Sequence, residues 1–177
     1  GGISGAHIPA WEAREDAELT AICDHIIFNS ISQLNKYRQM CRGVSVGLRI
    51  NPECSTQEGH AIYDPCAPGS RLGVTRANFD PACLDIIDGL HFHTLCEQDA
   101  DDLKRTLDAV EEKFGDCLQK VSWLNMGGGH HITRPGYDIE LLKSCIRRMQ
   151  DTYGVTVYLE PGEAVALNAG LLVTEVM

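Results

Sequence analysis

The chain has 177 residues, of which 44% are hydrophobic and 23% charged, and its formal net charge is −10. This length is enough for one domain with a sizeable core. The acidic balance argues against a nucleic-acid partner, whose binding surface would be basic, and no apolar run approaches the roughly 18 residues that a membrane span needs.

The cysteines indicate a reducing compartment. There are eight of them, scattered along the chain without a C-x-x-C pair. No secretory segment is recognisable in the sequence either. Thiols used in this way are typical of a cytoplasmic protein and not of a disulfide-stapled secreted domain.

Predicted strands and helices alternate along the chain. The first half predicts a strand over 3–8, a helix over 12–22, a strand over 25–29, a helix over 33–41 capped by Ser30, and a strand over 44–51. A long polar loop follows at 52–78, then a short helix over 81–86 and a strand over 87–93. The second half predicts an amphipathic helix over 99–114, a strand over 119–125, a helix over 139–153 and a strand over 156–160.

This alternation predicts parallel strands joined by right-handed crossovers within one domain over 1–177. About six strands are predicted, whereas a closed (β/α)8 barrel needs eight. The pattern is therefore compatible with an open doubly wound sheet, or with a barrel that lacks about two units.

Three consecutive glycines, Gly127, Gly128 and Gly129, directly follow an apolar strand segment. Bare backbone N–H groups at such a place can approach an anion closely, and phosphate is a common ligand there. An ordinary glycine-rich turn would have the same sequence. The chemistry therefore depends on what the neighbouring strands bring to the same place.

Two other strand ends carry candidate site residues. His91 and His93 lie two apart and therefore share a strand face. This placement suits two metal ligands, a histidine that stacks on a ring, or a structural histidine with a neighbour in a pocket. Glu160 ends the last strand, where a carboxylate would keep the nitrogen of a bound heterocycle protonated and make that ring an electron sink. The C-terminal ends of barrel strands converge on one mouth, so these residues are expected to meet the glycines there.

Five segments together carry a family resemblance. They are GLRINP at 47–52, YDPCAPGSRLG at 63–73, HFH at 91–93, GGGHH at 127–131 and EPGEA at 160–164. In this order, from about residue 3 to residue 175, the chain resembles the alanine-racemase-like, pyridoxal-phosphate-dependent decarboxylases of fold type III. Within the family it is similar to the branch that decarboxylates carboxylated triamines in polyamine biosynthesis.

The resemblance implies a partial (β/α)8 TIM barrel with about six of eight strands present and pyridoxal 5′-phosphate across its mouth. It also implies a role for seven residues: His93 stacks on the pyridine ring, Glu160 pairs with the ring nitrogen, Gly127, Gly128, Gly129 and Gly162 receive the phosphate, and Glu163 lies in the substrate pocket. Family members typically have arginine where this chain has Glu163, and an acid there suits a substrate with extra amines.

One family feature is absent. Family members bind the cofactor covalently through a lysine on an early barrel strand, and none of the five lysines here matches that motif: Lys36, Lys104, Lys113, Lys120 and Lys143. The resemblance places that lysine, and a second β-rich domain, outside 1–177. The chain is thus expected to be an internal part of a cytoplasmic, homodimeric enzyme that acts on a small polyamine precursor, and to be inactive by itself.

Two alternatives stay open from the residues alone. The His91 and His93 pair suits a metal-dependent hydrolase on the same barrel, with a metal-bound water as nucleophile. The missing lysine is also compatible with a non-catalytic phosphate-binding module.

Overall fold

A parallel β-sheet with helices on one face forms the fold of the computed structural model, which describes residues 20–57, 64–171 and 173. The strands are β1 (His25–Phe28), β2 (Ser45–Asn51), β3 (Val74–Thr75), β4 (Gly89–His91), β5 (Trp123–Asn125) and β6 (Thr156–Tyr158). The α-helices are α1 (Ile31–Tyr37), α2 (Ala100–Leu118), α3 (Ile139–Tyr153) and α4 (Gly162–Ala166), with 3-10 helices at Arg38–Met40, Arg76–Asn78 and Pro81–Asp85.

The strand order shows a barrel wall that is partial and not closed. Five strands follow one another in the order β1-β2-β4-β5-β6, every pair is parallel, and β3 adds to the end of β2. Sequential neighbours of this kind are typical of a (β/α) barrel, whereas a doubly wound sheet would reverse its order at some point. Of the two architectures that the sequence left open, the structure favours the partial barrel.

Most predicted elements are confirmed, with shifts at their ends. Ser30 caps α1 as predicted, because its Oγ accepts the N–H of Gln33 at 3.2 Å. The predicted helix over 139–153 has the bounds of α3, and the helix predicted over 99–114 continues one turn further as α2. The strand predicted over 3–8, and the helix predicted over 12–22 up to residue 19, lie outside the described residues.

The long loop predicted over 52–78 contains an element that the sequence did not indicate. Its end forms β3, which pairs in parallel with Ile50 and Asn51 of β2. The approach depends on Gly73, whose φ is +85° and where a Cβ would lie 2.8 Å from the Ile50 carbonyl. The side-chain oxygen of Asn29 accepts the Gly73 N–H at 2.9 Å and fixes the turn.

The helices bury one face each, as their patterns predict. On α2 the predicted face is fully buried: Leu103, Leu107, Val110 and Phe114. Helix α3 begins at the cap Asp138, whose carboxylate accepts the Leu141 N–H at 2.8 Å, and ends at Gly154 with φ +70°. The buried side chains of both helices form one cluster with Leu48, Leu90 and Leu124 of the central strands. This face of the sheet is the hydrophobic core.

The opposite face of the sheet, which is the interior side of a barrel, is packed in layers. Gly47, Gly89 and Trp123 are register partners on β2, β4 and β5, and the Trp123 indole covers both glycines. A Cβ at Gly89 would lie 1.9 Å from the indole. The indole N–H donates to the Ser45 hydroxyl at 2.9 Å, so one ring fills this layer and is fixed in it.

All eight cysteines lie in the described part of the chain and are free thiols, as the sequence predicted. Burial raises the pKa of the Cys66, Cys83 and Cys117 thiols to about 11. Within the described ranges, no helix is both long enough and apolar enough to cross a bilayer.

Candidate active site

A polar layer lies two residues beyond the Trp123 layer, where the strands end. Arg49, His91 and Asn125 are register partners on β2, β4 and β5, and all three are buried. Because side chains alternate along a strand, they face the same interior side as Gly47, Gly89 and Trp123. The C-terminal ends of the strands thus meet in a layer that is polar instead of apolar.

Glu160, two residues after β6, joins this layer. Its Oε1 accepts the Asn125 Nδ2–H at 2.8 Å, and its Oε2 lies 3.9 Å from His91 Nε2. Burial lowers the pKa of His91, and the neighbouring Glu160 opposes that shift without cancelling it. The lowered pKa favours the neutral imidazole of His91 at neutral pH, and Glu160 contributes the carboxylate of the layer.

The glycine run is held close to the segment that follows β4. Gly127 and Gly129 have φ values of +67° and +81°, a conformation that strongly favours glycine. A Cβ at Gly127 would lie 2.4 Å from the Phe92 carbonyl oxygen, and one at Gly129 would lie 2.1 Å from the Leu95 carbonyl oxygen. At Gly128 a Cβ would lie 2.7 Å from the carbonyl oxygen of Glu160. Backbone conformation and close packing therefore require these glycines even before a ligand is considered.

Two of the three N–H groups of the run already have acceptors in the chain. Gly127 N–H donates to Asn125 Oδ1 at 2.8 Å, and Gly128 N–H donates to His93 Nδ1 at 3.1 Å. An oxyanion that accepted from the Gly128 N–H would have to replace its bond to His93. In such an anion site, the role of Gly127 would be to shape the turn.

His93 is oriented by the run. An amide N–H can only donate, so His93 Nδ1 is the acceptor, and in the neutral ring the proton is on Nε2. The His93 carbonyl in turn accepts from Arg49 Nη2 at 3.2 Å. The predicted ring-stacking histidine is thus attached to both β2 and the glycine turn.

The two histidines after the run point to different partners, as expected of adjacent residues. His130 is buried, its Nε2 lies 3.3 Å from the Met126 oxygen, and burial lowers its pKa. His131 Nε2 lies 3.1 Å from Glu163 Oε1 on α4. Glu163 therefore lies beside the glycine run, at the partly exposed edge of the site.

Gly162 begins α4 next to these groups. Its N–H donates to the Glu160 carbonyl oxygen at 2.8 Å, and a Cβ built on it meets no atom of the described residues within 4 Å. Unlike the three glycines of the run, Gly162 has no packing reason to be glycine in the described part of the chain.

The sequence assigned no role to Arg49 or Asn125, although both lie in the centre of the site. Burial lowers the pKa of the Arg49 guanidinium, with Cys66 and Glu160 nearby opposing the shift. The missed signal was positional: each is a polar residue at the end of a strand and in register with His91. Aligning the strands by their last residues would have revealed the whole layer.

None of the five lysines, all of which the structure describes, lies at the C-terminal end of a strand. Lys36 is in α1, Lys104 and Lys113 are in α2, Lys143 is in α3 and Lys120 precedes β5. Over 20–57, 64–171 and 173, no three His, Cys, Asp or Glu side chains form a group that could hold a metal ion. The hydrolase alternative therefore has no ligand set among these residues.

Known proteins are similar to this chain in both sequence and fold. No protein-family model matches the chain. It is 44% identical over 169 residues to a carboxynorspermidine/carboxyspermidine decarboxylase of Campylobacter jejuni, which covers 96% of this chain and 44% of that protein. The chain is thus similar, over nearly its whole length, to carboxynorspermidine decarboxylases. It spans about half the length of the curated relatives that it matches.

Another relative and two solved structures agree with this similarity. A carboxyaminopropylagmatine decarboxylase of Synechocystis is 35% identical, over 99% of this chain and 51% of the relative. The crystal structure of the Campylobacter jejuni carboxynorspermidine decarboxylase with norspermidine has a TM-score of 0.80 at 44% identity, over 89% of this chain and 40% of that one. A diaminopimelate decarboxylase, 20% identical with a TM-score of 0.68 over 91% and 41% of the two chains, shares the fold.

Proposed function

We propose that this chain forms the cofactor-binding wall of a pyridoxal-phosphate-dependent enzyme that decarboxylates carboxynorspermidine or carboxyspermidine. One observation carries the proposal: His93, the glycine run and Glu160 are connected by hydrogen bonds at the ends of three adjacent strands. The decarboxylase relatives support the reaction, and the two substrates are those in the name of the Campylobacter jejuni relative.

The residues fit pyridoxal phosphate at its two ends. The turn at 127–129 offers backbone without side chains, and Gly162 leaves open space next to it. Glu160 offers a carboxylate already held by an amide donor. His93 would hold the ring by its face, the glycines would hold the phosphate, and the Glu160 carboxylate would pair with the ring nitrogen. When bound, the cofactor supplies an electron sink for the electrons of the carbon–carbon bond that breaks as carbon dioxide leaves.

The chain's own groups would prepare that chemistry. Glu160 would favour a proton on the ring nitrogen, because an anionic carboxylate stabilises a pyridinium. Neutral His91, deep beside Glu160, does not neutralise that charge. His93 presents a planar ring, and Arg49 holds its main chain through the His93 carbonyl. These groups position and polarise, and the covalent role belongs to a lysine that none of the five in this chain supplies.

Glu163 is our candidate for the amine end of the substrate. Its carboxylate is partly exposed and lies beside His131, two residues after the glycine run. An ammonium group of a polyamine is the chemical complement of this carboxylate. His131, 3.1 Å away, keeps Glu163 oriented while the amine is absent.

The assembly and location of the enzyme remain predictions. We expect the full-length protein to be a cytoplasmic homodimer whose second domain completes the site. Light scattering of the purified full-length protein measures its mass in solution, and a monomer that releases carbon dioxide at full rate would contradict the expected dimer.

The test compares Glu160→Gln with the parent in the full-length protein. The amide keeps the shape and removes the charge, so we expect turnover of carboxynorspermidine to fall about 10²-fold or more, while cofactor binding survives. Glu140→Gln, on the exposed face of α3, is the matched control. Carbon dioxide release is measured from carboxynorspermidine, carboxyspermidine and carboxyaminopropylagmatine, with lysine and diaminopimelate for comparison. Near-parental turnover in Glu160→Gln would exclude the proposed role, and preference for lysine would exclude the substrate class.

A further inference from the structure

One buried amide connects the two ends of the site. Asn125, the last residue of β5, is only 2% exposed, so its polar atoms depend on partners within the protein. It lies between His91 of β4 and Tyr158 of β6 in the register of the sheet. Two of its bonds reach different parts of the site: Nδ2 donates to Glu160 Oε1 and Oδ1 accepts from Gly127 N–H, each at 2.8 Å.

The two partners determine the orientation of this amide. The Gly127 N–H can only donate and must therefore meet the oxygen of the side chain. The NH₂ group then faces Glu160, whose ionised carboxylate can only accept. A buried aspartate would present an acceptor to both partners, and a leucine would satisfy neither. Asparagine is therefore the residue whose donor and acceptor match this pair of neighbours.

The bonds couple the glycine run to the carboxylate. Gly127 has a positive φ and begins the run, so fixing its N–H fixes the entry to the turn. A second contact closes the loop from the other side, because Glu160 N–H donates to the Gly127 oxygen at 2.8 Å. Gly127 and Glu160 are thus held together both through the backbone and through Asn125.

We infer that Asn125 is a positioning residue, which fixes the distance and orientation between the glycine run and the Glu160 carboxylate. This inference rests on the proposed function insofar as these are the two ends that hold one cofactor. Asn125 makes both of its side-chain bonds to protein groups. It orients the carboxylate with a charge-assisted hydrogen bond and holds the turn in the shape that receives an anion.

The first test needs no ligand and reads the Tm of the cofactor-free full-length protein. Asn125→Asp places two carboxylates where an amide donated at 2.8 Å, and we expect the Tm to fall by about 2–4 °C. Adding Glu160→Gln restores a donor, with the polarity of the bond reversed, and should recover most of that loss. Asn78→Asp adds the same charge at an exposed position and is the control. Additive Tm losses in the double variant would overturn the inference.

The second test uses pyridoxal phosphate and pyridoxal as paired probes. Asn125→Asp keeps the acceptor for Gly127 and disturbs only the Glu160 end, so both probes should bind about tenfold more weakly. Asn125→Ala loses both bonds and should weaken pyridoxal phosphate more than pyridoxal. The pH profile of the absorbance of the bound probe should change in Asn125→Asp as it does in Glu160→Gln, and an unchanged profile would count against the inference. A Tm coupling in a protein that binds neither probe would support the role of Asn125 and refute the proposed function.

Discussion

Two layers of buried side chains lie on the same strands and the same face, two residues apart, and they differ in polarity and in what holds them together. The inner layer has no charged group: Gly47 and Gly89 make room for one indole, Trp123, which fills the space. The outer layer, at the strand ends, holds a guanidinium, an imidazole, an amide and the nearby Glu160 carboxylate. Close packing defines the first layer and hydrogen bonds with fixed polarity define the second.

The difference shows how one strand can serve both fold and site. A shift of two residues along a strand keeps the face and changes the depth in the barrel. Trp123 therefore stabilises the wall, whereas Asn125, two residues later, orients groups that face the mouth. Substitutions in the inner layer should affect folding, and substitutions in the outer layer should affect ligand binding or its pH dependence.

The largest expected effect is in the inner layer. Gly89→Ala puts a methyl group 1.9 Å from an indole that is anchored on Ser45, so neither side can move cheaply. We expect a loss of about 3 kcal/mol in unfolding free energy, measured by denaturant unfolding of the full-length protein. Gly170→Ala, where a Cβ meets no atom of the described residues within 4 Å, is the control.

A second variant checks the cause of that loss. Combining Gly89→Ala with Trp123→Leu removes the ring that the methyl group strikes, and the double variant should lose less stability than the sum of the two single variants. Strict additivity would mean that the layer is not defined by this contact.

This layered arrangement could be predicted from the sequence only in part. Alternating strands and helices, the buried face of α2 and the cap at Ser30 depend on local patterns, and all of them are confirmed. The strand predicted over 87–93 is shorter, at Gly89–His91, because apolar residues such as Phe92 are buried in the following segment without continuing the ladder. The two-residue strand β3 depends on a distant partner, Ile50, that no local pattern reveals.

For the site, the sequence identified side chains with distinctive chemistry and missed those that connect them. His93, the glycine run and Glu160 stood out by residue type, and the structure brings them together. Arg49 and Asn125 are ordinary residues in sequence, and their importance comes from register and burial. The roles of the cofactor-binding residues remain predictions until a ligand is tested.

A middle-sized effect is expected at the rim, where a ligand can be separated from packing. Gly162→Ala adds a methyl group that meets no atom of the described chain, so stability should not change. If the phosphate lies there, the methyl group should weaken pyridoxal phosphate binding by about tenfold, roughly 1.4 kcal/mol. Fluorescence titration of the full-length protein measures this, again with Gly170→Ala as control. Unchanged affinity would remove Gly162 from the phosphate site.

The smallest effect is a pH dependence that arises from the outer layer and its neighbour. Burial lowers the pKa of His91 and of His130 below the ordinary value of 6.5. Between the lowered pKa and 6.5, the unfolded chain binds protons that the folded chain does not, so stability should fall as pH falls through that window. Each histidine can contribute at most about 1.4 kcal/mol per pH unit there. Stability above pH 6.5 should be insensitive to either group.

Urea unfolding of the full-length protein measures this slope in a series from pH 7.5, above that window, down to about pH 5.5. His91→Asn should remove one of the two contributions and flatten the curve, and His130→Asn should do the same independently. The slope separates the effect of histidine protonation from any loss of packing, because a cavity lowers stability equally at every pH. A slope as steep in the double variant as in the parent would mean that other groups, and not these two imidazoles, cause the acid sensitivity.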